Sequence, residues 1–232
     1  MALAALALLS MRRDPFGPAG PSVPSSVCIL MFSTPNLLPQ YAQLASDINE
    51  TYARRHGYAF KHFVAESPDV KPTWQKVKKL RELLDTYDVV MWMDSDAAFN
   101  DHDTSLDRWI HSSHDLIGCS DHPNGPYAIN CGVVIVKSSA WTKAFLETWW
   151  HMRTIPRYAE EWAYEQSALH DLIQKNAMGC TDRIRIEPAT AFNSVWSELQ
   201  NGRRDTFVLH FMAMTAEERK HELQALRDRL VY

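Results

Sequence analysis

Two runs constrain this chain more than any other feature: VCILMFST from Val27 and VVMWMD from Val89 are apolar without alternation, as fully buried strands are. Between them the period changes. From Pro39 to His56, Tyr41, Leu44, Ala45, Ile48 and Tyr52 recur at helical spacing, and Gly57 supplies a stop. YAFKHFV then alternates as a strand, and Trp74, Val77, Leu80, Leu83 and Leu84 mark a second helix. Strand, helix, strand, helix, strand is the order of an α/β sheet whose strands are mostly parallel. Further on, Asp115 to Ser120 and Cys131 to Val136 are expected strands. Ser138 or Ser139 is expected to cap a helix bearing Trp141, Phe145 and Trp149, and Glu160 to Gln174 to form one more helix. IRIEP and FVLHF follow as strands, and Thr215 with Glu218 forms a capping box for a last helix carrying Leu223, Leu226 and Leu230.

With 232 residues and neither an internal repeat nor a second linker, residues 27–232 are expected to form one domain. Residues 1–26 differ. MALAALALLSM is apolar but too short to span a bilayer, Arg12 and Arg13 follow it, and DPFGPAGPSVPSS has linker composition. The segment reads as the remainder of a truncated membrane anchor with its stem, or as a disordered start. Together with the Asn49-Glu50-Thr51 sequon it points to the secretory pathway, in the Golgi lumen or at its membrane. Cys28, Cys119, Cys131 and Cys180 lack metal-site spacing; Cys28 and Cys131 lie in strand-like runs as small hydrophobes, and four cysteines permit three pairings in an oxidising compartment. A net charge of −4 with no basic stripe argues against a nucleic-acid partner and for small molecules or neutral polymers.

The second buried run ends in Asp94-Ser95-Asp96. In an extended segment residues two apart share a side, so the two carboxylates can converge, and converging like charges call for a cation between them. A divalent, oxygen-seeking ion fits; the plainer reading is a capped turn, since Asp and Ser both favour turns. Their place at the carboxyl end of a strand in an α/β sheet faces the usual ligand cleft. His210, ending the FVLH strand, is the candidate third ligand, and as a single strand-end histidine it can equally be structural. Exposed tryptophans such as Trp162 or Trp196 could stack on an acceptor glycan, although core packing is the commoner use of any one ring.

The blocks WQKVKKLRELLDTYDVVMWMDSDAAFND, INCGVVIVKSSAWTKAFLETWW, EQSAL and FVLHF follow one another in the order of the blocks of glycosyltransferase family 34, which this chain resembles over most of Tyr41 to Phe211. The resemblance implies a GT-A type nucleotide-sugar fold, a mostly parallel mixed sheet flanked by helices, and a manganese-dependent donor site with magnesium as the alternative. It also implies transfer with retention at the anomeric carbon. By motif match, Asp94 is similar to the carboxylate nearer the donor ribose and the metal's water shell, Asp96 to the direct metal ligand, with Ser95 between them in the donor site. His210 resembles the late metal-binding histidine, and Asn130 and Gly132 the segment beside the donor sugar. Glu165 and Gln166 match an acidic-Gln pair at the reacting face, and Lys76 and Arg81 the basic residues on the preceding helix. Gly132 has a structural alternative, close backbone approach, and Glu165, Lys76 and Arg81 can be read as solvated surface charges.

The chain departs from that pattern after His210, reading HFMAMTAEER. Thr215 and Ala216 stand where a phosphate-binding lysine is expected, and Lys220 comes late. The reading is a retaining transferase moving a hexose or pentose from a nucleoside-diphosphate sugar, UDP first, to a glycan or polysaccharide acceptor. A non-catalytic sugar- or nucleotide-sugar-binding relative, or a metal-dependent nucleotidyltransferase, is the alternative.

Overall fold

Seven consecutive buried residues, Val27–Ser33, form β1 at the heart of the main sheet. The computed structural model describes residues 26–66, 70–121, 125–160, 162–196 and 206–230. β1 lies between β2 (Ala59–Val64) and β3 (Val89–Met93), parallel to both. β4 (Ala97–Phe99) follows β3 directly, while β5 (Leu116–Cys119), β6 (Asn130–Lys137) and β7 (Ile184–Glu187) complete a six-stranded sheet in the order β2-β1-β3-β6-β5-β7. β6 alone runs against its neighbours β3 and β5, so the sheet is mixed and mostly parallel, as expected.

Alternation along the strands divides the core in two. Ile29, Met31, Met91 and Met93 face α1 (Gln43–Arg55), which sends in Ala45, Ile48 and Tyr52. Leu30, Val90 and Trp92 face the other way, against Val77 and Leu80 of α2 (Gln75–Leu83). After α3 (Asp107–Ile110), that second layer is completed by α4 (Ala140–His151) with Phe145 and Trp149, α5 (Pro156–Glu160) with Tyr158, and α6 (Tyr164–Gln174) with Leu169 and Leu172. α7 (Ala216–Leu230) adds Leu223 and Leu226 to the first layer. Burial of each large aliphatic side chain contributes about 1.5–3 kcal/mol, which is why helices with one apolar stripe settle on both faces.

Several local expectations hold. Gly57 ends α1 with φ +71°. Ser139 caps α4, accepting from the Thr142 N–H at 3.0 Å, and Thr215 and Glu218 bond each other's N–H groups at α7.

Others need correction. The helix expected from Glu160 to Gln174 is broken: α5 ends at Glu160, and Ala163 (φ 72°) and Tyr164 (φ 31°) turn the chain through left-handed backbone that no helix can continue through. FVLHF holds as a strand in β9 (Val208–His210), but the second sheet it joins, β4-β9-β8, was not foreseen: β4 and β8 (Ser194–Val195) are too short to show a period. The Asn49 side chain is fully buried, donating to the Ala97 carbonyl at 2.9 Å and accepting from the Phe99 N–H at 3.0 Å. In the fold it pins β4 and offers no acceptor for a glycan. All four cysteines are free and buried, and burial pushes the Cys28 and Cys119 thiols up to about 12. Residues 1–25, with the expected anchor and linker, lie outside the described residues, among which no helix is long and apolar enough to cross a membrane.

Candidate active site

Strand direction gathers the site. Because β6 is antiparallel to β3, its first residues, Asn130 to Gly132, lie beside the carboxyl end of β3, and the Asp94 N–H donates to the Gly132 carbonyl at 2.8 Å. Asp94 and Asp96 then fall in a tight turn, closed by the Ala97 N–H on the Asp94 carbonyl at 2.9 Å. Their convergence comes from that turn and not from extended backbone. β4 pairs antiparallel with β9, setting Ala97 opposite His210, so the register of a three-residue strand delivers the histidine to the carboxylates. One ligand atom from each of Asp94, Asp96 and His210 lies within 4.8 Å of the others.

His210 is held in one orientation. Its Nδ1 donates to Asn193 Oδ1 at 2.9 Å, the Asn193 amide donates to Asn130 Oδ1 at 2.8 Å, and the Asn130 amide donates to Asp121 Oδ1 at 3.2 Å. The Gly132 N–H also donates to Asn130 Oδ1, at 2.9 Å. With Nδ1 donating to Asn193, Nε2 is the nitrogen turned toward Asp96 Oδ1, 3.3 Å away. Gly132 makes room for this ring: a Cβ there would stand 2.2 Å from His210 Cε1.

Two cations serve the carboxylates. Lys76, buried on α2, donates to the Cys131 carbonyl at 2.6 Å and pairs with Glu165 at 3.1 Å and Asp94 at 3.2 Å. Arg219 reaches in from α7, placing Nη2 3.0 Å from Asp96 Oδ2, Nε 2.9 Å from the Phe211 carbonyl and Nη1 3.3 Å from the Tyr41 hydroxyl. Burial raises the Asp94 carboxyl above its ordinary value even with Lys76 and His210 near. For Asp96 burial acts in the same sense, but His210 and Arg219 outweigh it and hold the carboxyl low. Burial would lower His210 and Lys76; the facing carboxylates, Asp96 and Asp94 for the first and Asp94 and Glu165 for the second, outweigh it and raise both.

A cleft of about 420 Å³ has Lys76, Asp94, Asp96, Asn130, Gly132, Trp162, Glu165, Gln166 and His210 among its walls, so it gathers nine of the residues singled out from sequence. Gln166 turns its Oε1 to the Cys131 N–H at 2.8 Å. Ser95 is half-buried in the turn beside the Tyr41 hydroxyl and does not line the cleft. Arg81 is not brought in either; it pairs with Asp85 at 3.0 Å and Glu147 at 3.1 Å on the far surface of α2. Sequence reasoning missed Asp121, Asn193 and Arg219. Asn193 carries no motif, whereas Arg219 was findable one helical turn after the capping threonine.

Two carboxylates and one imidazole are a hard-to-borderline donor set suited to a divalent cation. The tautomer imposed by Asn193 and the space left by Gly132 fit that use, because each serves to present Nε2 toward the carboxylates.

The model of the nucleotide-diphospho-sugar transferase family matches residues 47–224. The rice (Oryza sativa subsp. indica) protein named "Probable glycosyltransferase 6" is 29% identical over 133 residues, 53% of this chain and 27% of its own. The yeast (Saccharomyces cerevisiae) "Probable alpha-1,6-mannosyltransferase MNN10" is 23% identical over 178 residues, 62% of this chain and 45% of its own. This chain spans between 27% and 45% of the length of the curated relatives it matches. Among solved structures, a glycosyltransferase involved in glycosylation of the major capsid of PBCV-1 superposes with a TM-score of 0.72 at 18% identity, covering 86% of this chain and 99% of that one. The galactosyltransferase LgtC, solved with donor and acceptor sugar analogs, gives 0.53 at 14% identity over 85% of this chain and 95% of that one. These likenesses establish the GT-A type fold.

Proposed function

The chain belongs to the nucleotide-diphospho-sugar transferase family, and on that premise we propose that it is a metal-dependent, retaining glycosyltransferase that moves a hexose or pentose from a UDP-sugar to a glycan acceptor, residues 27–232 forming the catalytic unit. The observation that carries this reading is the convergence of Asp94, Asp96 and His210 in the cleft. Retention and the UDP donor rest on the resemblance to family 34.

Asp96 and the Nε2 of His210 would hold a manganese ion, or magnesium in its stead, and Asp94 beside them would serve its water and the donor ribose. Such an ion, when bound, supplies Lewis-acid stabilisation of charge on the departing diphosphate. Asn193 keeps the proton on Nδ1 of His210. Lys76 pairs with both Asp94 and Glu165 in a buried setting and so fixes the position of the two carboxylates. Glu165 and Gln166, at the start of α6, line the sugar side of the cleft: the Glu165 carboxylate offsets positive charge developing at the anomeric carbon, while Gln166, its Oε1 taken by the Cys131 N–H, has its NH2 left to donate to a sugar hydroxyl. Arg219 does the work expected of the lysine absent from the HFMAMTAEER segment: its guanidinium presents donors toward the phosphates while remaining tied to Phe211.

The test is calorimetric titration of UDP into the protein with and without Mn²⁺, on wild type and Asp96→Ala, followed by turnover of a UDP-sugar panel. Binding that needs both the metal and Asp96 supports the donor site. Metal-independent binding, or binding untouched by Asp96→Ala, overturns it. Binding without turnover on any donor assigns the chain to the non-catalytic alternative.

A further inference from the structure

The eight tryptophans are not spent alike. Trp74, Trp92, Trp109 and Trp149 are buried, Trp150 packs edge-on to Trp74, Trp141 stacks on Phe145 and Trp196 leans on Phe211. Trp162 is 75% exposed and lines the candidate cleft. Leaving so large an apolar ring in water forgoes the burial free energy that its type usually contributes. An exposed ring at the mouth of a polar cleft is therefore informative in a way that a buried one is not.

The backbone that presents it is unusual too. Ala163 and Tyr164, the next two residues, both have positive φ, 72° and 31°, without being glycine. Such backbone persists where its surroundings fix it, and it concentrates at ligand sites. Here the Ala163 carbonyl takes the N–H groups of Gln166 (2.7 Å) and Ser167 (3.1 Å), so the strained turn is also the start of α6. One turn thus sends Trp162 to the solvent side of the cleft and Glu165, three residues on, to its buried side. Tyr127 stands 6.3 Å from the Trp162 ring at 43°, and is itself braced edge-on against His170 at 5.7 Å. The Thr73 hydroxyl and the Asp121 carboxylate line the same cleft and can bond hydroxyl groups.

We propose that Trp162, supported by Tyr127, is the platform on which the acceptor sugar ring lies, so that the acceptor is a neutral pyranose of an oligosaccharide with its C–H face on the indole. The inference rests on the reading of the cleft as a donor site and adds the second substrate to it. A pyranose presents one face of C–H groups and a rim of hydroxyls, which matches a flat apolar ring beside sparse polar groups. Sequence adjacency to Glu165 and Gln166 puts the ring at the sugar end of the cleft. A nucleotide base stacked on it is the competing occupant.

The experiment uses saturation-transfer NMR with cellotetraose and α-1,6-mannotriose as probes, alongside the UDP and Mn²⁺ titration, on wild type, Trp162→Ala and Trp162→Phe. Transfer to ring C–H protons of at least one oligosaccharide is expected on wild type. It should weaken about tenfold in apparent affinity in Trp162→Ala and persist in Trp162→Phe, while the UDP affinity stays unchanged. Circular dichroism confirms that the exposed-site variants are folded. No oligosaccharide binding on wild type, or binding indifferent to Trp162→Ala, overturns the proposal. Loss of UDP affinity in Trp162→Ala reassigns the ring to the nucleotide base and overturns it as well. Oligosaccharide binding that disappears in Trp162→Ala, with no UDP binding to wild type, instead refutes the donor reading while leaving the sugar platform standing.

Discussion

Gly132→Ala puts the smallest possible load on the largest number of inferences. An added Cβ would sit 2.2 Å from His210 Cε1 and 2.7 Å from its Nδ1, against 3.4 Å for ordinary contact, so ring or strand must retreat by about 1 Å. The ring has no easy retreat: it is buried, its Nδ1 is bonded to Asn193 at 2.9 Å, and its Nε2 faces Asp96 at 3.3 Å. The strand is no softer, since the Gly132 carbonyl takes the Asp94 N–H and its own N–H serves Asn130. Overpacking of this kind costs about 1–3 kcal/mol, a fall in melting temperature of roughly 2–12 °C for a chain of this size. Displacing a ligand from its support weakens metal affinity by about 10–100-fold. The assay is calorimetric titration of Mn²⁺, with and without UDP, at a temperature where circular dichroism shows the variant fully folded. A folded variant with wild-type Mn²⁺ affinity would refute the claim that His210, in this orientation, is a ligand.

Lys76→Met removes a cation and leaves Glu165 buried and unpaired; the expected cost is about 3–5 kcal/mol, or a melting temperature lower by roughly 6–20 °C, with partial recovery in the Lys76→Met/Glu165→Gln double variant. A double variant no more stable than the single one would show that charge imbalance is not the cause. Asp171 is held below the ordinary carboxylate range, first by the Tyr158 hydroxyl at 2.6 Å and then by Arg157. Its folded value lies below its unfolded one, so its stabilisation is fully present above an unfolded value of about 3.9 and fades as pH falls through the folded value. Melting curves of wild type and Asp171→Asn should accordingly differ at neutral pH and converge in acid; a gap independent of pH would contradict this.

What sequence made legible follows from length of signal. β1 and β3 are runs whose burial on both faces leaves only one pattern, and α1 and α2 show several turns of apolar spacing. Of the β4-β9-β8 sheet only FVLHF, which contains β9, was legible; β4 and β8, of three and two residues, carry no period, and the pairing that brings His210 to Asp96 could not be read. The break before α6 was missed for a different reason: neither Ala163 nor Tyr164 announces a left-handed backbone, and tertiary packing overrides their ordinary preference. Asn49 misled in the opposite direction, since a sequon is a statement about three residues and its burial is a statement about β4. Among the cleft residues, Asp94, Asp96 and His210 were found from their types and their places at strand ends, whereas Lys76, Asn130, Gly132, Glu165 and Gln166 were found only through the resemblance to family 34. Asn193 was found by neither, because an amide acquires meaning only from the two groups it joins.

Arg219 shows how a departure in sequence can preserve a physical requirement. A cation is wanted next to Asp96, and the segment after His210 offers none until α7 has begun. The capping box sets where that helix starts, the Arg219 N–H bonds the Thr215 carbonyl at 3.0 Å, and the side chain turns back to Phe211, the residue following the histidine. The guanidinium is therefore tied by its Nε to the same strand end that carries His210, with Nη2 on Asp96. A lysine in a loop would supply the same charge from a flexible stem with one nitrogen; the arginine supplies it from a planar fork whose orientation is fixed before any ligand arrives. Charge alone would not distinguish the two, but under the proposed donor reading the fork suits a diphosphate better, since orientation settled during folding is not lost again on binding.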